Sequence, residues 1–181
     1  MNQLSPVFKQ KFGNSVERIL HVPGNYDPAK ILEMTVVVDT SLEKELVTAV
    51  LPELLRSLKA LDKVFQNVRF HLAYWKDEGV TDRVCPMLLA MSEGFYGDYA
   101  HVPAEKPLED LVEYLRVLHA RSKLILLLTD GAYRIENEEQ VKQHMQPFLQ
   151  KKMMEVRVQG TPETPQLSCH ASGANCRWQL V

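Results

Sequence analysis

The sequence holds only three cysteines in 181 residues, Cys85, Cys169 and Cys176, an odd number without the spacing of a metal site. Cys169 and Cys176 stand near enough in the chain to pair if it were exported; otherwise the thiols fit a reducing compartment. Long apolar runs are missing too, since none approaches the roughly 20 residues that cross a bilayer. A helical membrane role is therefore not expected. Residues 1–12 lack the apolar centre of a secretory signal, so the expected address is cytoplasmic. No large excess of either charge occurs, and the formal net charge is -2. Nucleic-acid binders carry a basic face or stripe, so nucleic acid is not expected as a partner. Neither G-x-G-x-x-G nor G-x-x-x-x-G-K is found, which removes the glycine-rich phosphate cradles. The six histidines are scattered without a ligand-type pair, and there is no internal repeat or low-complexity tract.

What is present is enough for one ordinary domain with a sizeable core. Its hydrophobic fraction of 45% and charged fraction of 24% are those of a globular chain with a solvated surface. The most informative stretch is Met34-Thr35-Val36-Val37-Val38-Asp39-Thr40-Ser41, an unbroken apolar run that ends in an acid and two hydroxyls. A run without alternation marks a strand buried on both faces, as at the centre of a parallel sheet. Lys123 to Leu128 repeats the design and runs into Thr129-Asp130-Gly131. In open α/β sheets ligands bind at the carboxyl ends of the strands. Two neighbouring strands built this way would set Asp39 and Asp130 side by side in one polar pocket.

Between these strands, Leu46 to Leu61 follows helical period with Pro52 inside it, and Val68 to Trp75 alternates as a second strand. Val84 to Met91 is expected as a third, edge strand because it contains Pro86. A loop from Ser92 to Pro107 is long enough to carry function. Pro107 with Glu109 and Asp110 opens a helix through Leu118. Asn137 and Gln140 make a capping box for a further helix ending near Lys152. Met153 to Val158 is a strand, Thr161 to Gly173 is read as a short helix at best, and Cys176 to Val181 as a closing strand. Residues 16–22 are open between helix and edge strand, and residues 23–28 are turn chemistry. The expected fold is α/β: a three-layer, Rossmann-like, open and mostly parallel sheet with helices on both faces. Residues 1–32 are expected to be an N-terminal extension packed on a single domain over 33–181.

With its elements in this order the sequence resembles the von Willebrand factor A-type domain family. The likeness lies in Val36 to Ser41, in Leu126-Leu127-Leu128-Thr129-Asp130-Gly131 and in the ending from Leu167 to Gly173. The resemblance implies a metal-ion-dependent adhesion site, usually for Mg2+, built on Asp-x-Ser-x-Ser, a threonine from a middle loop and a later aspartate. Hydroxyls, carboxylates and waters give such an ion the oxygen shell it needs, with one position open to a partner's carboxylate. Asp39, Ser41 and Asp130 match three of the family positions. Glu43 stands where the second serine belongs, and Lys106 at or next to the threonine. An ammonium there would neutralise Asp39 and Asp130 without any metal, which makes the site degenerate. Each residue also has a plainer reading: Asp39 and Ser41 as helix caps, Asp130 as a turn aspartate, Glu43 as solvated first-turn charge.

The functional expectation is a non-catalytic protein–protein interaction module, an adaptor or scaffold. It would bind another protein at the carboxyl edge of the sheet, with a divalent metal as an option. The resemblance implies an ATPase or complex subunit as a kind of partner. Phe95, Tyr96, Tyr99 and His101 in the long loop are candidate partner-binding residues, since exposed aromatics anchor interfaces. The aromatics could instead pack over the sheet end as a lid. The alternative function is a phosphoryl-transfer hydrolase resembling the haloacid dehalogenase class. Asp39 would be nucleophile, Lys106 a phosphate clamp and Asp130 a magnesium ligand. Ser41 stands where that class has its general-acid aspartate, and a serine cannot donate protons as a tuned carboxyl does.

Overall fold

In the computed structural model the described residues are 4–21, 27, 29–77, 79–119, 121–145, 153–172 and 178–180. The turn at 23–28 and Cys176 fall essentially outside them, as does the expected helix end near Lys152. The apolar run becomes β1 (Leu32–Asp39), with Val36, Val37 and Val38 fully buried. Successive strand side chains point to opposite faces, so Val36 and Val38 join one apolar cluster and Val37 the other. β1 is flanked by two parallel neighbours, β2 (Val68–Lys76) and β4 (Leu124–Thr129). With β3 (Gly79–Val84), β5 (Met153–Gly160), β6 (Pro165–Ser172) and β7 (Trp178–Leu180) they form one sheet in the order β3-β2-β1-β4-β5-β6-β7. The sheet is mixed rather than mostly parallel: β2–β1, β1–β4 and β4–β5 are parallel, while β2–β3, β5–β6 and β6–β7 are antiparallel hairpin-type pairings.

Helices cover both faces. α1 (Pro6–Leu20), α2 (Lys44–Leu61) and the short α3 (Met87–Ala90) pack on the face of Val36 and Val38. α4 (Leu108–Leu118) and α5 (Glu138–Met145) pack on the face of Val37. α2 buries Leu46, Val47, Val50, Leu51, Leu54, Leu55 and Leu58 and runs through Pro52, so apolar packing outweighs the one lost backbone donor. The expected capping by Asn137 holds on one side, with the Gln140 N–H donating to Asn137 Oδ1 at 3.1 Å.

Of the stretch at 16–22, open between helix and edge strand, residues 16–20 are the end of α1, whose start signal, Ser5 capping the Phe8 N–H with Pro6 at the first helical position, lies further upstream. Two expectations are corrected. The third strand is not Val84 to Met91. It is Gly79–Val84, paired in a hairpin that sets Lys76 opposite Gly79, whose φ of 131° only glycine adopts readily. Pro86, lacking an N–H, ends the pairing and introduces α3. The stretch expected as a short helix, Thr161 to Gly173, is not one over its described residues 161–172: Leu167 and Cys169 alternate with polar residues as β6 returns against β5 through the turn after Gly160 (φ 88°). The expected closing strand is present over Trp178–Leu180; the rest of it lies outside the described residues. Cys169 is a buried free thiol, pushed up to about 12 by its burial.

At the amino end of β1, far along the strand from Asp39, His119 is buried in a polar chain. Its Nδ1 lies 3.2 Å from Thr35 Oγ1 and its Nε2 2.8 Å from the Tyr114 hydroxyl, while Thr35 also bonds Ser122. Burial lowers the His119 pKa; Asp82 and Glu33 oppose that and His71 adds to it. The native state therefore resists a proton that the unfolded chain accepts below about pH 6.5. Stability is expected to be full above that value and to fall as the pH drops through the lowered native pKa. Urea midpoints at pH 7.5 and 5.5 should differ more for wild type than for His119→Gln; equal differences would refute this.

Candidate functional site

β1 ends at Asp39 and β4 ends at Thr129, with Val38 opposite Leu128, so their carboxyl ends lie side by side. β1 has β2 on one flank and β4 on the other, which makes this the point where the strand order reverses and a crevice opens. Asp39 and Lys106 are each only 1% exposed, and Lys106 Nζ lies 2.5 Å from Asp39 Oδ1. The ammonium also donates to the Ala104 carbonyl at 3.0 Å and stands 5.6 Å from the centroid of the buried Trp75 ring. Asp39 Oδ1 accepts the Ser41 N–H at 3.0 Å, and Oδ2 accepts the Thr129 hydroxyl at 2.7 Å. Both carboxylate oxygens are thus engaged, the condition under which a buried ion pair is tolerated.

The segment from Ser92 to Pro107 is fastened across the sheet end. The Tyr99 hydroxyl donates to the Leu42 carbonyl at 2.5 Å and lies 3.2 Å from that of Asp39, and the Val102 N–H donates to Thr40 at 2.8 Å. Burial first, then the Asp39 charge, pushes the Tyr99 hydroxyl far above its ordinary range, so it remains a neutral donor. Arg134 in the loop after β4 donates its N–H to the Lys106 carbonyl (3.0 Å) and accepts from the Leu108 N–H (2.8 Å). Those two bonds fix the backbone from which Lys106 reaches inward.

The aromatic residues of this segment are correspondingly corrected as anchors. Tyr96 and Tyr99 are buried, Tyr96 donating to the Ala90 carbonyl, and Phe95 is packed partly against the core. They are the lid; only His101 among the four is exposed. The apolar floor at the sheet end explains this, since it would otherwise face water.

Asp130 is not Asp39's partner. Side chains alternate along a strand, so the residue in register beside Asp39 is Thr129, and Asp130 lies one step beyond, half-buried, accepting the Ala132 N–H at 3.0 Å as a turn aspartate does. Gly131 follows with φ 82°, and a Cβ there would lie 3.3 Å from Arg157. Asp130 instead joins Ser41 and Glu43 around an open cleft of about 510 Å³, with Leu42, Leu46 and Val158 also on its lining; Asp39 is not on that lining. Ser41 does not cap α2, whose N-cap is Glu43.

Sequence reasoning overlooked Thr129, Trp75 and a second buried acid, Glu155. Its Oε1 lies 3.1 Å from Arg157 Nε, and its Oε2 accepts the Tyr133 hydroxyl at 3.1 Å. Burial raises the Glu155 carboxyl's pKa, and Arg157 and Tyr133 work against that rise. Its signal was an acid between the apolar Met154 and Val156 of the strand.

These residues do not fit a magnesium ion. Such an ion needs near-octahedral oxygens, but the Asp39 oxygens are taken by an ammonium, an amide and a hydroxyl. Lys106 also places a positive charge where the ion's own would stand. Among the described residues no group of three or more His, Cys, Asp and Glu side chains converges. Compared with protein-family models, curated proteins and solved structures, the chain matches none of them.

Proposed function

We propose that the chain is a non-catalytic protein-interaction module with the Rossmann-like arrangement of the A-type domains, binding another protein at the carboxyl edge of its sheet without a metal. The observation that carries this reading is the buried Lys106–Asp39 pair at the reversal point, a fixed cation held beside the acid that matches the resembled family's first site position. The strand order, with β1 between β2 and β4 and helices on both faces, supports the same reading. The open cleft beside the pair supports binding at this edge, because a static pocket with fixed polar groups is a default ligand site.

The hydrolase alternative is disfavoured by access. A nucleophile must reach the phosphorus, whereas Asp39 is 1% exposed and both its oxygens are occupied. A generic phosphate ester with magnesium should turn over no faster with the protein than without it. Turnover abolished by Asp39→Asn would overturn that.

The interaction reading is tested by position. A photo-crosslinking residue placed at Ala132, on the cleft, should give a discrete adduct in its own cell extract, and the same residue at Glu139 on α5 should not. Equal labelling at both positions would sink the reading.

A further inference from the structure

Glu155 is fully buried in β5 and does not line the cleft, yet the groups it bonds stand directly behind one of the cleft's walls. We infer that Glu155 is a positioning residue for the cleft, fixing Asp130 and Ala132 through Gly131 and Tyr133, the two residues that alternate with them. Its importance for binding rests on the cleft being the interaction edge; its hold on the wall does not.

Asp130 and Ala132 line the cleft, and the bond between them, from the Ala132 N–H to Asp130 Oδ1, closes within the turn itself. Across the cleft, Ser41, Leu42 and Glu43 stand on a loop locked from inside by the Lys106–Asp39 pair and by the bonds of Val102 to Thr40 and Tyr99 to Leu42. Among the described residues neither the Asp130 nor the Ala132 side chain bonds that loop. Their place is set from behind.

Two contacts set it. Gly131, with φ 82°, lies so close to Arg157 that a Cβ there would come within 3.3 Å of Arg157 Cδ and Nε. The Tyr133 ring turns inward beside Trp75, with 5.7 Å between centroids, and its hydroxyl donates to Glu155 Oε2 at 3.1 Å. One carboxylate grips both, because Arg157 Nε donates to Glu155 Oε1, also at 3.1 Å. Bonds to an ionised acceptor are roughly twice as strong as neutral ones. Glu155 itself is held in the sheet, opposite Leu127 of β4 on one side and His170 of β6 on the other. The wall is thus registered to the strands and not to the loop's own contacts. Without the carboxylate, Arg157, whose side chain is already 34% exposed, is free to swing into solvent and leave Gly131 unbacked.

Paired nitroxide labels, with distances read by electron paramagnetic resonance, test this on the free protein with Cys85 and Cys176 replaced by serine. One pair, at the exposed positions Ala132 and Glu163, spans the cleft from this wall; the other, at Glu43 and Glu163, spans it from the locked loop. Glu155→Met should broaden the first distance distribution about twofold or more, as a locally released segment does, and leave the second unchanged. Glu155→Gln keeps an acceptor for the Tyr133 hydroxyl and should broaden it less. Tyr133→Phe should broaden it too, and adding Tyr133→Phe to Glu155→Met should add nothing, since both cut one link. Leu111→Ala, a core truncation on the same face, lowers stability without touching the link and should change neither pair. Equal broadening of both pairs, or broadening in Leu111→Ala, would make Glu155 a stability residue only and overturn the inference. Unchanged widths in Glu155→Met and Tyr133→Phe would overturn it as well. If Glu155→Met does not fold, Tyr133→Phe and Glu155→Gln are judged by the same criterion. With the photo-crosslinking residue at Ala132, Tyr133→Phe should lower the adduct about threefold, because a wall no longer held must be ordered on binding. An unchanged adduct beside a broadened distance would overturn the link to binding. No adduct even in wild type would defeat the interaction reading, while the distances still judge Glu155.

Discussion

Lys106→Ala is expected to lower the unfolding free energy by about 3–5 kcal/mol, because breaking a buried pair leaves a buried charge without its partner. That is a large share of the roughly 5–15 kcal/mol that holds a domain together, and the variant should melt far below wild type or fail to fold. The informative comparison is Lys106→Met with Asp39→Asn. The amide oxygen keeps an acceptor for the Ser41 N–H, its NH2 can donate to the Thr129 hydroxyl oxygen, and the thioether refills the space over Trp75. Replacing a buried pair with neutral groups of like volume is often close to neutral, so the double variant should recover more than half of the loss. Chemical denaturation of the single and double variants measures both. If Lys106→Ala costs under about 1 kcal/mol, the value of an exposed pair, the buried pair is not what secures this end of the sheet. Lys106→Thr supplies a hydroxyl where the resembled family has one. Magnesium titration should give no binding heat with wild type and a measurable heat with this variant; equal heats would refute the substitution of ion by lysine.

Deleting residues 1–21 is expected to have an effect as large. α1 buries Phe8, Phe12, Val16, Ile19 and Leu20 against a cluster that includes Met154, Val156, Val158 and Cys169. At about 1.5–3 kcal/mol for each large apolar side chain taken from water, their loss rivals the whole net stability of a domain. No helix separates β5 from β6, so α1 supplies the cover that a crossover helix would otherwise give the face of β4 to β6. The truncated chain should be insoluble or bind hydrophobic dyes. Phe12→Ala is the graded version, with an expected cost of about 3–5 kcal/mol. A truncated form that keeps the wild-type melting temperature would show that this face tolerates water.

The parts of the fold that were legible in the sequence are those where one signal acted alone. β1, β2 and β4 announced themselves through apolar runs and alternation, and α2 and α4 through helical period with Pro107 at a helix start. The misread parts are those in which signals competed. Val84 to Met91 is apolar enough for a strand, but the hairpin register through Gly79 had already used the preceding residues. β6 is half polar, and its alternation was obscured by prolines and threonines around the turn. At the site, Asp39 stands out as the acid ending an apolar strand, whereas Lys106 is reached only through the family resemblance; the structure pairs the two. Asp130 was placed one residue wrong in space, because strand parity, not proximity in sequence, decides that Thr129 faces Asp39. Tyr96 and Tyr99 looked like surface anchors because sequence does not say whether an aromatic in a loop points out or in.

The seat of α1 has a consequence for biosynthesis. α1 is translated before β4, β5 and β6, the strands it docks against, the last of which ends at Ser172. Much of its apolar stripe must therefore stay uncovered while the roughly 150 residues between Leu20 and Ser172 are made. Domains that can close stepwise shelter such surfaces early; this one closes that face only once α1 meets β6, and the interval before it does is when chaperones would be needed most.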